Sequence, residues 1–165
     1  KKNNVSCRLS PFRNSKQKSG FVEYSVSSEE GLRKRIINSK FFYVAEEKNN
    51  VVGFTCAYAN HLLKKLDFYD DQIVKYILKY KKPFIYWELT GVIDKYHKKG
   101  IAKRLAKYLL DNTSNSKYKV IYCPIAHKPH KNKVSINIWT KLGFLLVEEI
   151  NVYNWFVFGI YKKIL

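Results

Sequence analysis

The stretch FIYWELTGVIDKYHKKGIAKRLAKYLL, residues 84–110, constrains the fold of this chain more than any other part of the sequence. Its beginning, Phe84 to Ile93, is too hydrophobic for an exposed sheet edge and predicts a buried strand. Its end predicts an amphipathic helix, because apolar residues recur at helical spacing on one face: Ile101, Leu105, Tyr108 and Leu109. Gly100 lies between the two, so we expect a strand, a short basic loop and then a helix.

The rest of the chain predicts further strands and helices around this unit. In chain order they are a helix over 27–40, a hairpin of Phe41–Glu47 and Val51–Ala59, one or two helices over 61–82, a strand over 119–126, a helix over 132–143 and strands over 144–150 and 155–165. FVEYSVS, just before the first helix, is a further candidate strand. This order predicts a single α/β (α+β) domain over residues 1–165, with 1–20 as a loop or frayed terminus.

The charge of the chain favours a polyanionic partner. The formal net charge is +18, which suits a phosphorylated cofactor, RNA or an acidic surface. Cys7, Cys56 and Cys123 are far apart and show no CxxC spacing, so we expect neither a disulfide framework nor a metal site. Cys56 and Cys123 lie in apolar runs and are expected to be buried thiols in a reducing cytoplasm. No apolar run is long enough to cross a bilayer, so no membrane partner is expected.

The start of the predicted helix is suited to binding an anion. The first backbone N–H groups of a helix lack intrahelical partners, and the peptide dipoles add positive charge there. Gly100 and Ala102 are small, so a diphosphate could approach the backbone, while Lys98 and Lys99 add charge. Alternatively, the glycine merely makes a turn. The loop is neither a P-loop nor a dinucleotide fingerprint, because GxxxxGK[ST] and GxGxxG are both absent.

VIDKYHKKGIAKRL resembles the phosphate-binding signature of the GNAT superfamily of N-acetyltransferases, Arg/Gln-x-x-Gly-x-Gly/Ala after a central strand. Here the signature reads His97-Lys98-Lys99-Gly100-Ile101-Ala102, with a histidine where arginine or glutamine is usual. NKVSINIWTKLGF resembles the superfamily's later helix, Asn-x-x-Ala/Ser-x-x-x-Tyr-x-x-x-Gly-Phe, with Trp139 in place of the tyrosine. The resemblance covers roughly residues 22–165.

The resemblance implies a mixed, mostly antiparallel central sheet flanked by helices, with a splayed strand pair that holds acetyl-CoA. Gly91 is expected to mark the irregularity in the splayed strand. Main chain at Val92 would meet the pantetheine and polarise the thioester carbonyl, although Val92 could instead serve packing alone. The residues expected to bind the cosubstrate are Val92, His97, Lys98, Lys99, Gly100, Ile101, Ala102, Asn132 and Trp139.

The chemistry that the resemblance implies needs a base, and Glu88 is the one acid in the apolar strand. A buried carboxylate has a raised pKa, which suits a general base near neutral pH. Alternatively, Glu88 points outward or pairs with a lysine. Trp139 has no O–H to protonate the leaving thiolate, and Asn132 could equally cap its helix. His127 and His130 are expected to be exposed loop residues, although they could instead touch the acceptor.

The resemblance therefore predicts a cytoplasmic N-acetyltransferase, monomeric or homodimeric, that transfers acetyl from acetyl-CoA to a primary amine by direct attack. One alternative uses the positive charge: a basic enzyme of the same fold that acetylates aminoacyl-tRNA or a ribosomal protein, with RNA or ribosome contacts. Another alternative is a non-catalytic RNA-binding domain, since aromatic and basic residues alternate in KYILKYKKPFIYW.

Overall fold

A computed structural model describes residues 29–64, 66, 71–114, 116–152 and 156–165 of the protein. Its helices and strands follow one another as α1 (Glu29–Asn38), β1 (Phe41–Glu47), β2 (Asn50–Ala59), α2 (Asp71–Ile77), β3 (Phe84–Val92), α3 (Ile101–Thr113), β4 (Val120–Lys128), α4 (Lys133–Lys141), β5 (Leu145–Val152) and β6 (Phe156–Ile164). Short 3₁₀ turns, Asn60–Leu62 and Asp94–Tyr96, follow β2 and β3. No helix among the described residues is long and apolar enough to span a membrane.

The strands form one six-stranded sheet in the order β1-β2-β3-β4-β6-β5. Within the described strands, β3 and β4 pair in parallel and every other neighbouring pair is antiparallel. The parallel pair is joined through α3, which is the crossover that a parallel connection requires. The expected mixed, mostly antiparallel sheet flanked by helices is confirmed.

The two central strands separate after a short parallel ladder. Pairing between β3 and β4 is limited to Phe84–Tyr86 against Val120–Tyr122. In contrast, β4 stays paired with β6 along its whole length, from Val120 to Lys128. In the described part of the chain, the facing edges of 87–92 and 123–128 therefore form an open wedge in the middle of the sheet.

A β-bulge lies at Glu88, at the start of this wedge. Across the antiparallel ladder, Cys56 pairs with Leu89 and Ala57 pairs with Trp87, so Glu88 is the extra residue. The expectation that Gly91 marks the irregularity is wrong, because 89–92 pair with β2 in regular register. Gly91 instead accommodates a close neighbour, since a Cβ there would lie 2.9 Å from the Phe54 ring.

Apolar side chains cover both faces of the sheet. On one face, α2 contributes Ile73, Val74 and Ile77, which pack with residues of β2, β3, β4 and β6. On the other face, α3 and α4 contribute Ala106, Leu109 and Trp139. Burial on both faces explains why the central strands are nearly continuous apolar runs in the sequence.

The structure confirms most of the elements that the sequence predicts. The hairpin matches within one residue, and the strands and helices after residue 84 match within a few residues at each end. Within 61–82, the residues that the structure describes contain one α-helix, α2, after the 3₁₀ turn. The possible strand FVEYSVS and the loop predicted for 1–20 lie outside the described residues.

Candidate active site

The loop between β3 and α3 places a cluster of free backbone amides at the mouth of the wedge. The first intrahelical bond runs from the N–H of Arg104 to the carbonyl of Gly100, so the amides of 101–103 precede the helical pattern. Gly100 is the N-cap, in the left-handed conformation with φ 74°, and no side chain caps this described helix start. A bound anion would accept hydrogen bonds from these amides.

The loop geometry leaves room for a ligand above Gly100. A Cβ built there would meet only the Arg104 Nη1 atom, at 3.9 Å. Lys98 also has a positive φ, 62°, so the chain turns twice through left-handed conformations within this loop. Such turns make concave arrays of backbone N–H groups. The residues of 97–102 could therefore hold a diphosphate group, which stays the prediction made from the sequence.

Basic side chains surround these amides. Lys98, Lys99 and Arg104 are exposed, and the Arg104 guanidinium donates a hydrogen bond to the Lys99 carbonyl at 3.2 Å. The Lys99 ammonium lies 4.6 Å from the centre of the Tyr96 ring, which is within cation–π range. Arg104 therefore fastens the loop to the first turn of α3.

The backbone of Val92 faces the wedge. The Ile93 N–H donates to the Val52 carbonyl of β2 at 3.0 Å. Because backbone groups alternate in direction along a strand, the N–H and carbonyl of Val92 point to the opposite edge, toward β4. His97 Nε2 donates to that carbonyl at 2.9 Å. The side chain of His97 thus binds the end of β3, and the Val92 N–H remains directed into the wedge.

Glu88 carries the carboxylate at the start of the wedge. Its side chain is only 5% exposed and forms an ion pair with Arg35 of α1, whose guanidinium Nη1 donates to Oε1. The Tyr58 hydroxyl also hydrogen-bonds to this carboxylate. The second oxygen, Oε2, is buried without a hydrogen-bond partner among the described residues. Glu88 therefore points inward and pairs with an arginine, where the sequence alone left an outward position or a lysine partner open.

The environment of Glu88 favours proton uptake. Burial raises the pKa of Glu88 above its usual value, while the Arg35 guanidinium and the Tyr58 hydroxyl act in the opposite direction. An unpartnered oxygen on such a carboxylate can accept a proton from a neighbouring group. Burial also raises the pKa of Tyr58 and raises the pKa of Cys56 to about 12, so both stay neutral at ordinary pH.

Trp139 and Asn132 hold α4 in place. The Trp139 ring is 5% exposed and packs on Trp87, with ring centroids 4.3 Å apart, so it forms part of the core beside the wedge. Asn132 is the N-cap of α4 and accepts a hydrogen bond from the Ser135 N–H at 3.0 Å. Of the two possibilities for Asn132, the structure shows the capping one.

Buried His127 was not expected from the sequence. His130 is exposed, but His127 lies within β4, one residue before its end, and its side chain is 4% exposed, so the expectation of an exposed loop residue is wrong for His127. Its ring contacts the Glu149 carboxylate and, at 3.1 Å, the Tyr161 hydroxyl. The hydrogen bond with His127 lowers the pKa of Glu149. No group of three or more metal-ligating side chains occurs in the described part of the chain.

Comparison with known proteins agrees with this geometry. The family model for the "Acetyltransferase (GNAT) family" matches residues 10–144. No curated protein sequence matches the chain significantly. Among solved structures, the chain is similar in fold to Naa50 of Arabidopsis thaliana in complex with the bisubstrate analogue CoA-Ac-MVNAL, with a TM-score of 0.58 and 18% identity over 82% of this chain and 80% of that one. It is also similar to Naa20 of Chaetomium thermophilum in complex with a bisubstrate analogue, with a TM-score of 0.63 and 12% identity over 83% and 73% of the two chains.

The wedge between two central strands and the free backbone amides at the start of α3 agree with an acetyltransferase fold. The chain belongs to the GNAT acetyltransferase family. It is an acetyl-CoA-dependent N-acetyltransferase, with acetyl-CoA as its cosubstrate.

Proposed function

We propose that this protein transfers the acetyl group of acetyl-CoA directly to a primary amine, with Glu88 as the general base. The observation that carries this proposal is the Oε2 atom of Glu88, which is buried at the start of the wedge and has no hydrogen-bond partner among the described residues. A carboxylate oxygen in that position can receive the proton that an attacking amine must lose.

The residues of the chain divide the reaction between them. Bound acetyl-CoA supplies the activated thioester carbonyl. The amides and lysines of 97–102 bind its diphosphate, and the Val92 N–H stabilises the negative charge that develops on the carbonyl oxygen. As the amine forms its N–C bond and the C–S bond breaks, the amine proton passes to Glu88. Trp139 has no acidic hydrogen, so the thiolate takes its proton from solvent or from a tyrosine elsewhere.

The acceptor that we propose is the amino group of a peptide chain. Two structures of similar fold are described as complexes with CoA-Ac-MVNAL and with a Gag peptide and CoA, so the fold can present a peptide to the thioester. The net charge of +18 favours a second candidate, an acceptor carried on RNA or the ribosome, such as aminoacyl-tRNA or a ribosomal protein. A non-catalytic RNA-binding domain would bind RNA without binding acetyl-CoA.

A thermal-shift measurement with acetyl-CoA and with CoA tests cosubstrate binding. At about 100 times its dissociation constant, a ligand should stabilise the folded state by about 2.7 kcal/mol. The absence of any shift with either compound at millimolar concentration would contradict the proposal.

Glu88→Gln tests the proposed base. The amide cannot take a proton, so release of free thiol at neutral pH should slow by about 100-fold or more, the scale of general-base catalysis, with CoA affinity nearly unchanged. In the wild type, activity should fall as the pH decreases through the pKa of Glu88, which burial raises above its usual value, because only the ionised carboxylate is a base. Turnover that is equal in the variant and the wild type would show that Glu88 is not the base.

A further inference from the structure

The ion pair between Arg35 and Glu88 joins α1 to the bulge of β3. The two side chains are 12% and 5% exposed, respectively, so the pair is largely shielded from water. The other basic residues of α1 differ from Arg35: Arg33 and Lys34 pair with acids of their own helix, and both are 68% exposed. Arg35 is thus the described cation of α1 that reaches the proposed base.

The charge at this position is balanced before any acceptor arrives. Three described side chains face Glu88: Arg35 from α1, and Tyr58 and Cys56 from β2. Tyr58 and Cys56 are neutral, because burial raises the pKa of each. The guanidinium therefore offsets the charge of the carboxylate, and no excess negative charge is left among these groups to attract an ammonium ion.

The α-amino group of a peptide and the side chain of lysine differ in the fraction that is uncharged at a given pH. The pKa of an α-amino group is about 7.7–8.0 and that of a lysine side chain about 10.4, so at pH 7 the uncharged fraction of the α-amine is higher by roughly 300-fold. A fixed positive charge next to the base disfavours the arrival of an ammonium ion and has little effect on a neutral amine.

We propose that Arg35 determines acceptor specificity: by holding a fixed positive charge on Glu88, it favours the α-amino group of a peptide chain over the ε-ammonium group of lysine. The inference rests on the proposed function, because it assumes that an amine attacks next to Glu88. Arg35 acts through Glu88 and is a positioning residue, since its bond to Oε1 also leaves Oε2 as the oxygen that receives the proton.

A carboxyl titration by carbon-13 NMR tests the coupling without any acceptor. The Glu88 signal is assigned by its loss in Glu88→Gln. In Arg35→Gln the pKa of Glu88 should rise by about one unit or more, since an adjacent cation lowers a carboxyl pKa by about 1–3 units. Arg35→Lys keeps the charge and should largely preserve the wild-type pKa. Arg33→Gln, on the exposed face of the same helix, is the matched control and should leave it unchanged. A pKa equal in Arg35→Gln and the wild type would overturn the proposal.

Selectivity is measured with two peptides that each carry one reactive amine. Met-Val-Asn-Ala-Leu offers an α-amine, and formyl-Lys-Val-Asn-Ala-Leu offers only a lysine. The wild type should favour the first in kcat/KM by at least tenfold, and the ratio should fall several-fold in Arg35→Gln but not in Arg33→Gln. A wild-type preference for the lysine peptide, or an unchanged ratio in Arg35→Gln, would refute the specificity role.

Different results would contradict the proposed function and the specificity role of Arg35. If acetyl-CoA binds and neither peptide nor any other amine releases thiol, the proposed function is wrong and the specificity of Arg35 falls with it. The titration still decides whether Arg35 controls the charge of Glu88. If amines react but the ratio does not depend on Arg35, only the specificity inference is refuted.

Discussion

Gly100 shows how one residue can serve both folding and binding. Its φ of 74° is a conformation that glycine adopts without strain, and a Cβ there would meet only the Arg104 side chain, at an ordinary contact distance. Gly143, after α4, has a similar φ of 85° but lies beside the Lys163 side chain, on another element. The two glycines share a backbone conformation and differ in their surroundings.

Gly100→Ala should therefore have two separable effects, and Gly143→Ala only one. Each variant should lose about 1–2 kcal/mol of unfolding free energy, because a Cβ is strained in the left-handed region. Only Gly100→Ala should also weaken CoA binding, since its methyl group occupies the space above the free amides. Urea denaturation and calorimetric titration with CoA measure the two quantities. Equal CoA affinity in both variants would place the diphosphate elsewhere.

At the residue scale, the sequence allowed candidate site residues to be singled out where their neighbours in the chain define them. It did not predict contacts between residues that are distant in the chain. Gly100, Glu88 and Val92 could be singled out because their neighbours in the chain define a strand and a helix start. Arg35 lies 53 positions from Glu88, and a basic residue on an amphipathic helix has no feature that marks it as buried. His127 was missed because the strand continues through Lys128, beyond the apolar run.

At the scale of elements, a buried network joins β2 to β3 next to the bulge. Trp87 Nε1 donates to the Thr55 hydroxyl at 2.8 Å and contacts the Thr90 hydroxyl at 3.1 Å. The Thr55 hydroxyl also donates to the Leu89 carbonyl and lies 2.8 Å from that of Thr90. The threonines thus satisfy the buried indole N–H and hold the two strands together where their register changes.

Thr55→Val tests this network with little change in shape. The variant removes the hydroxyl and leaves Trp87 with Thr90 as its partner, so we expect a loss of about 1–2 kcal/mol of unfolding free energy. Thr140→Val is the control, because its hydroxyl bonds to a backbone carbonyl on an exposed turn of α4. Urea denaturation measures both. If the two variants lose the same stability, the network contributes no more than a surface bond.

The position of the bulge was not predictable from the pattern of the strand. A glycine often marks a bulge, and this favoured Gly91. The structure places the bulge at Glu88, where the extra residue keeps both Glu88 and Leu89 on the face of the sheet that holds Tyr58. The position of the bulge depends on pairing with β2 and on the Arg35 side chain of α1. Both are properties of the folded chain and not of the strand itself.

At the scale of the whole molecule, the excess of positive charge is expected to strengthen the binding of anionic ligands such as CoA. The net charge of +18 creates a field that attracts anions over long distances and weakens as salt is added. Part of this charge is concentrated around the loop, in Lys98, Lys99 and Arg104, all exposed.

CoA affinity should consequently fall with ionic strength, by several-fold between about 0.05 M and 0.5 M salt, because screening lengths shorten from roughly 14 Å to 4 Å. The double variant Lys98→Gln/Lys99→Gln should show weaker binding and a shallower dependence. Lys81→Gln/Lys82→Gln removes the same charge before β3 and should keep most of the dependence. Identical salt dependence in the two double variants would show that CoA affinity responds to the net charge of the protein and not to the lysines of the loop.

The bulge at Glu88 affects which deletions this strand can accept during evolution. Deleting that one position would let Trp87 and Leu89 continue the ladder against Ala57 and Cys56 without interruption. The shortened strand would be the more regular of the two, and it would have lost the carboxylate that we propose as the base. The deletion would also remove the carboxylate that pairs with the largely buried Arg35, so the gain in regular strand pairing would come with the loss of this ion pair.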